Sequence, residues 1–282
     1  MAHPRQAPTV RLRRLAMELR QLRERTGLSR EQVAGATDIN RATLYRIETA
    51  QAKPQVRTLR ALLSVYGVPA TRQDELVAIL KLAKEESWLQ GTSEGLPDQY
   101  ATYIGFEHEA QELLNYESSF VPGLLQTEAY ARAAIPGSDP ELPPDEVEKR
   151  VVARMTRQAQ RGPSLPLWAI IDEAVLHRQV GGPKVMRQQV ERLVNDSEQP
   201  QVTLQVMPYN AGVHPGMHGS FVILRFSEGV HDVVYIETSA ADLFLDSEKA
   251  LQRYNLIFER LQATAASPTE SRDMMASLIR NT

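Results

Sequence analysis

The sequence predicts an all-helical domain of five helices, followed by a larger α+β domain with a small mixed sheet. Apolar residues recur every three or four positions up to about residue 86, which is the period of amphipathic helices. Beyond residue 100, short apolar runs typical of strands alternate with helical patterns. A small, polar stretch (GTSEGLP, 91–97) separates the two parts and marks a boundary. We therefore predict four segments: a flexible N-terminus (1–9), a helical domain (10–86), a linker (87–99) and an α+β domain (100–282).

Charge is distributed unevenly along the chain. Residues 1–86 contain 16 Lys and Arg against nine Asp and Glu, a net charge of +7; the whole chain has −3, which leaves −10 for residues 87–282. A basic end on an acidic remainder is typical of a protein that binds a polyanion through one domain. The alternative is an Arg-rich helical surface without such a partner.

The chain has no cysteine, which excludes disulfides, thiolate redox chemistry and Cys-ligated zinc. No apolar run approaches the roughly 18 residues of a membrane span. The N-terminal segment MAHPRQAPTVRLRR lacks the apolar core of a signal peptide. We therefore expect a cytoplasmic protein that does not interact with a membrane.

Two short helices joined by a tight turn are predicted between residues 29 and 49. Ser29 and Gln32 have capping-box spacing, in which the hydroxyl accepts from a backbone N–H and the amide side chain reaches back. A helix therefore begins there, and we expect Val33 and Ala36 to face inward. Asn40 N-caps the next helix.

The helix that Asn40 opens is predicted to have a buried and an exposed face. Leu44 and Ile47, three residues apart, face inward, which leaves four residues outward: Arg41, Ala42, Tyr45 and Arg46. Such a pair of helices is a helix-turn-helix, whose second helix enters the DNA major groove. Either arginine can bind guanine O6 and N7, and the small Ala42 permits close approach to a base edge.

Three further helices complete the first domain. One spans 10–26 and another 56–66, and a fifth begins with Thr71 and Asp74 as a capping-box variant. Between the third and fourth helices, Pro54 prevents helical continuation and the loop presents Lys53 to a DNA phosphate. The inward residues include Leu12, Leu15, Leu19, Leu22, Leu59, Leu62, Leu63, Tyr66, Leu76 and Leu80.

The segments SREQVAGATDINRATLYRIETAQAKP and VRTLRALLSVYGV resemble the Xre family of helix-turn-helix regulators, related to phage repressors, over about residues 10–86. The resemblance implies an Xre/phage-repressor-like fold in which Arg41, Ala42, Tyr45 and Arg46 contact bases. The residues assigned to DNA-backbone contact or to positioning are Arg30, Gln32, Asn40, Thr43 and Lys53. The sequence departs from the family at 49–50, because Thr-Ala stands where a glycine frequently closes the recognition helix.

The second domain is predicted to contain four strands and several helices. The strands are Leu165–Ile171, Val202–Met207, Ser220–Phe226 and Asp232–Glu237. A helix from Pro183 to Asn195 makes the first two a parallel pair with a crossover, and the last two form a hairpin. Other helices are predicted at Thr127–Ala134, from Asp145 onward, at Ser247–Gln262 and at Pro268–Ile279.

The second domain also resembles a known group. The segments are YIGFEHEA, FVPGLLQTEAYARA, LWAIIDEAVLHRQVGG, VTLQVMPYNAGVHPG and VVYIETSAADLFLDS. They resemble the C-terminal domain of a large group of actinomycete Xre-type regulators, over about residues 100–280. The resemblance implies an antitoxin-like regulator that is often encoded beside a small partner protein, and it brings no set of catalytic residues.

Carboxylates and imidazoles at Asp172, Glu173, His177, His214 and His218 invite an enzyme or metal-site interpretation. The spacing argues against it, because the proline and glycines around the last two histidines make that segment a loop, and no third ligand follows at a diagnostic spacing. We predict no catalytic residue, no metal and no cofactor. The long loop 208–219 could instead contact an effector or a partner, with candidate residues Tyr209, His214 and His218.

The sequence therefore predicts a sequence-specific, DNA-binding transcriptional regulator that is not an enzyme and that associates with the nucleoid. One helix-turn-helix reads few base pairs, so we expect a homodimer on two half-sites. The second domain is expected to sense a small-molecule effector or a small protein partner. The alternative is an antitoxin-like interaction protein with autoregulatory DNA binding, and a third interpretation is an enzyme with a DNA-binding appendage.

Overall fold

The computed structural model describes residues 10–89, 98–161, 165–227, 232–238 and 242–280. The chain forms two compact units, residues 1–105 and 106–282, which are described separately. Across the described ranges, no helix is both long and apolar enough to cross a bilayer. The predicted flexible N-terminus, 1–9, lies outside the described residues.

The first unit is helical, as the apolar periodicity predicts. Its core includes inward leucines of four helices together with Val33 and Ile47, and burial of these apolar side chains is the main source of its stability. Five helices occur in the predicted order: α1 Val10–Arg25, α2 Arg30–Ala36, α3 Arg41–Glu48, α4 Val56–Val65 and α5 Ala70–Leu89. A sixth helix, α6 Asp98–Glu109, crosses the division between the units.

Three details of the helical unit differ from the prediction. Ala36 is exposed and Ile39 is buried in its place, because α2 ends at Ala36 and the turn brings the isoleucine back to the core. Helix α5 begins at Ala70, so Thr71 lies inside its first turn and does not cap it, while Asp74 pairs with an arginine of α4. Helix α5 also continues to Leu89, into the predicted linker, of which 90–97 lie outside the described residues.

The second unit contains a mixed sheet, which confirms the predicted fold class. In the described part of the chain its order is β3-β2-β1-β4-β5-β6. Strands β1, β2 and β3 are parallel, and each of the following strands is antiparallel to its neighbour. The strands are β1 Glu112–Glu117, β2 Leu167–Asp172, β3 Val202–Met207, β4 Phe221–Arg225, β5 Val233–Ile236 and β6 Leu243–Leu245.

The predicted parallel pair is β2 and β3, and the predicted hairpin is β4 and β5. Two strands were missed by the prediction. Strand β1, ELLNYE, carries polar Asn115 and Glu117 within a central strand, so its sequence does not show the expected alternation. Strand β6 has three residues, too few for a periodic signal.

Helices of the second unit pack against this sheet. The helices of the second unit are α7 Glu128–Ser138, α8 Pro144–Gln160, α9 Glu173–His177, α10 Pro183–Asp196, α11 Glu248–Thr264 and α12 Pro268–Arg280. Because β1, β2 and β3 run in the same direction, Tyr116, Asp172 and Met207 lie near one edge of the sheet, the carboxyl edge of these strands. The loop 208–219 leaves β3 at this edge.

Candidate nucleic-acid interface

The two helices of the predicted helix-turn-helix are fixed at their N-termini by the predicted caps. The Gln32 backbone N–H donates to Ser29 Oγ at 3.2 Å, and the Ser29 N–H donates to Gln32 Oε1 at 2.8 Å. The Thr43 N–H donates to Asn40 Oδ1 at 2.7 Å. These bonds satisfy donors that a helix start leaves unpaired, so the starting points of α2 and α3 are well defined.

Helix α3 presents the predicted base-reading residues on one exposed face. Leu44 and Ile47 are 0% and 2% exposed and hold the helix to the core. On the opposite side, Arg41, Ala42, Tyr45 and Arg46 are all exposed. Two arginines, an aromatic ring and a small residue thus share one exposed face, and such a face can enter a groove and contact base edges.

Side chains of α2 and α3 hold parts of this face in place. Arg41 Nη1 lies 2.8 Å from Glu31 Oε1, and Arg46 Nη2 donates to Thr43 Oγ1 at 3.1 Å. The Arg30 guanidinium stands 5.3 Å from the centre of the Tyr45 ring, within cation–π range. The Arg41 pair is solvent-exposed on both sides, so it is weak and can open toward a nucleic acid.

A buried ion-pair network beneath α3 was not predicted. The Glu48 side chain is 0% exposed; its Oε1 lies 2.6 Å from Arg23 Nε and its Oε2 lies 2.6 Å from Arg30 Nε. Arg23 Nη1 also donates to the carbonyl of Leu28 at 3.1 Å. Burial alone would lower the pKa of Arg23. The hydrogen bond to Glu48 and the charge of Glu48 outweigh burial, so the pKa lies above its usual value. One carboxylate thereby joins α1, α2 and α3.

Sequence reasoning missed Glu48 although a signal was present. Glu48 follows Ile47 directly and lies four residues after Leu44, so a helix places it beside the buried face. A carboxylate in that position requires a cationic partner. Which arginine supplies it is a tertiary question, and the sequence alone does not identify Arg23 and Arg30.

The structure also locates the predicted backbone-contacting residues. Gln32 and Asn40 cap their helices, and Thr43 accepts from an arginine of the same face. Lys53 is exposed in the loop after α3. Arg30 is engaged by Glu48 through Nε, so a phosphate could reach only its terminal amino groups, and its DNA contact stays a prediction.

In the turn that closes α3, an alanine has a backbone conformation that is typical of glycine. Ala50 has φ of 57°, in the left-handed region that L-residues seldom adopt. Its methyl group is buried with Leu12 and Ala16. The Thr-Ala departure at 49–50 therefore leaves the turn shape intact, and the buried methyl offsets part of the strain.

The three candidate residues of loop 208–219 do not share one surface. Tyr209 is 60% exposed and stacks on His177 at 5.9 Å between ring centres. His218 is exposed. The His214 side chain is only 6% exposed, and its Nε2 lies 3.6 Å from Asp172 Oδ2. Within the described ranges, no three histidine or carboxylate side chains are grouped to hold a metal ion.

The fold and this exposed face define the class of the first unit as a helix-turn-helix domain, the class of DNA-binding regulators. A family model described as a helix-turn-helix domain matches residues 14–76. A second model, described as a domain of unknown function (DUF5753), matches residues 100–277. The chain belongs to the DUF5753 family. Comparison with curated proteins and with solved structures returned no match.

Proposed function

We propose that this protein is a sequence-specific transcriptional regulator that reads DNA with α3. The proposal depends mainly on one observation: α3 exposes Arg41, Ala42, Tyr45 and Arg46 on one face, while its other face is buried. Arginine forks match guanine O6 and N7 in the major groove, and a small or aromatic neighbour suits the thymine methyl. The proposal extends the helix-turn-helix class to a base-reading role for named residues.

The charge of the first unit supports DNA as the polyanion. Residues 1–86 have a net charge of +7, and neutralisation of phosphates by such cations releases counterions and supplies most non-specific affinity. Lys53 is exposed in the loop that follows α3, which supports a phosphate contact for it. We assign it to positioning, because a phosphate contact carries no sequence information.

We further propose that the regulator acts as a homodimer of the Xre type, and that its second unit senses a small effector. Two half-sites about one helical turn apart give the specificity that a single helix-turn-helix does not. The antitoxin-like alternative is favoured by one observation. Val213 and Met217 are 93% and 65% exposed on loop 208–219, and exposed apolar residues close together suit a protein partner.

The experiment is selection of binding sites from random duplexes with the full chain at a stated salt concentration. We expect an enriched motif with two half-sites. Lys53→Ala is expected to weaken enriched and random DNA equally and to reduce the slope of log affinity against log salt by about one. Arg20→Ala is the matched control, since Arg20 lies on α1 and pairs with Glu24; it should leave both affinities unchanged. Failure to enrich any motif would remove the sequence-specific role.

A further inference from the structure

The carboxyl edge of the parallel strands contains a polar cluster that the DNA-binding role does not use. Tyr116 is near the end of β1, Asp172 ends β2, and His214 comes from the loop that follows β3. The edge where parallel strands end is where open α/β sheets commonly bind ligands. The topology therefore brings three chemically active side chains to one place from distant parts of the chain.

Two polar atoms in this cluster are buried without a partner. Tyr116 is 0% exposed and its ring centre lies 6.1 Å from that of His214, edge to face. The Tyr116 hydroxyl lies near Asp172, but neither this hydroxyl nor His214 Nδ1 makes a hydrogen bond of ordinary geometry among the described residues. Unpaired buried polar atoms are rare and costly, and two on neighbouring aromatic rings indicate an interior that another partner could satisfy.

The donor and acceptor groups at this place are well defined. Asp172 Oδ1 accepts from the Ala174 N–H at 2.9 Å, and Oδ2 faces the imidazole of His214 at 3.6 Å. Burial, together with the charges on Asp172 and Glu117, raises the pKa of Tyr116, so its phenol stays protonated. The site thus offers one carboxylate acceptor and one hydroxyl, between aromatic walls that include Phe221.

The loop 208–219 currently fills the site with its own imidazole. Gly216 packs against Tyr116, so closely that a Cβ there would be 2.5 Å from the ring carbon Cζ. The loop is fastened at its start by the Tyr209 N–H, which donates to Glu173 Oε2 at 2.7 Å. In this closed position the loop buries a histidine and exposes Val213 and Met217, the reverse of the usual preference.

We propose that the space filled by the His214 imidazole is a binding site for a small planar nitrogen heteroaromatic molecule, with loop 208–219 as its lid. The ligand's ring N–H donates to Asp172 in place of His214, and a second ring nitrogen accepts from the Tyr116 hydroxyl, which satisfies that buried group. His214 is then an internal competitor that occupies the site when no ligand is present. This site would carry out the sensing role proposed above. Ligand binding itself does not depend on that role; only an effect of the ligand on DNA affinity rests on it.

The test uses the full chain and imidazole as the probe, at pH 8.5 so that the probe is neutral. His214→Ala vacates the site, and imidazole should raise its unfolding temperature saturably, with an apparent affinity about tenfold higher than for the wild type (a factor equivalent to 1.4 kcal/mol). His214→Ala combined with Asp172→Asn should lose this effect. The probe 1-methylimidazole, which has no N–H, should stabilise His214→Ala much less.

A second variant keeps His214 and forces the lid open. The added methyl group of Gly216→Ala meets the Tyr116 ring, so the loop must move away, and imidazole should bind this variant more tightly than the wild type. In the wild type, imidazole should increase amide hydrogen exchange in 208–219 as it displaces the loop. This measurement decides the question if His214→Ala does not fold.

The outcomes separate this inference from the proposed function. Absence of imidazole binding to both open variants, or equal stabilisation of all variants including Asp172→Asn, would overturn the site and leave DNA reading untouched. Specific binding that leaves DNA affinity unchanged would keep the site and remove its sensing role. Loss of DNA specificity in Arg41→Ala with normal imidazole binding would show that the two sites are independent.

Discussion

Helix α3 and the carboxyl edge of the sheet use polar residues in opposite ways. On α3, Arg41 and Tyr45 are in solvent, and the polar group that positions the helix, Glu48, is buried and fully paired. At the sheet edge, Tyr116 and His214 are buried and have unpaired atoms. A buried, satisfied network is rigid, whereas unpaired buried polar atoms cost free energy that a second arrangement of the loop can recover. We therefore expect α3 to be fixed and loop 208–219 to be exchangeable.

The largest effect is expected from breaking the platform. Glu48→Ala leaves Arg23 and Arg30 without their buried counter-charge, and loss of one partner of a buried pair costs about 3 to 5 kcal/mol. Hydrogen exchange of α1 and α3 amides, followed at increasing urea concentration, gives the free energy of unfolding of the first unit and thereby this loss.

Asp74→Ala is the matched control for that variant. Asp74 also pairs with an arginine, Arg60, at 2.7 Å, but both side chains are largely exposed, and such pairs contribute about 1 kcal/mol or less. Equal losses in the two variants would mean that the Glu48 network is not the platform of α3.

The second effect concerns the turn that closes α3. A β-branched residue in the left-handed region is a true outlier, so Ala50→Val is expected to cost about 2 kcal/mol. Ala50→Gly should be nearly neutral, because relief of strain is offset by loss of a buried methyl group worth about 0.8 kcal/mol. Thermal unfolding checks both variants, and Ala36→Val at an exposed helical position should cost about 0.7 kcal/mol or less. A harmless Ala50→Val would show that the turn is not constrained.

The smallest effect is expected from Glu117, a carboxyl group of the second unit whose pKa is raised. Burial raises the pKa of Glu117 to about 7, from a usual value of 4.5. The folded state therefore retains a proton that the unfolded state loses, and stability present below pH 4.5 is lost as the pH rises to 7. Glu117 is partly exposed, so we expect Glu117→Gln to stabilise the unit by only about 1 kcal/mol at pH 8.

The same variant should give almost no stabilisation at pH 4.5, where the wild-type carboxyl is protonated in the fold. Urea unfolding at the two pH values measures the difference. Glu191→Gln is the control, because Glu191 forms an exposed pair with Arg187 and should change stability little at either pH. A pH-independent effect of Glu117→Gln would contradict the burial argument.

The sequence predicts the helical unit better than the sheet because the signals there are local. The caps at Ser29 and Asn40 and the row of exposed residues on α3 follow from spacing within one helix. Glu48 was missed because its partners, Arg23 and Arg30, are 25 and 18 residues away. Their pairing depends on how three helices pack, which no local pattern shows.

In the second unit the missed features are non-local. Strand β1 pairs with β2 and β4, which are far away in the sequence. Its own sequence does not show the pairing, because the polar residues Asn115 and Glu117 interrupt the apolar pattern of a strand. Tyr116, Asp172 and His214 meet only because β1 and β2 are adjacent and the loop after β3 folds back. The sequence predicts the loop as a contact segment, but its inward histidine and outward valine depend on that tertiary arrangement.

The most direct measurement of the central claim is binding of Arg41→Ala and Arg46→Ala to the selected DNA site and to each of its single-base variants. If α3 reads bases, each variant should lose about 1 to 3 kcal/mol at one base-pair position, become indifferent to the base there, and keep wild-type discrimination elsewhere. An equal loss on every site and on random DNA would contradict the claim and reduce these arginines to phosphate contacts.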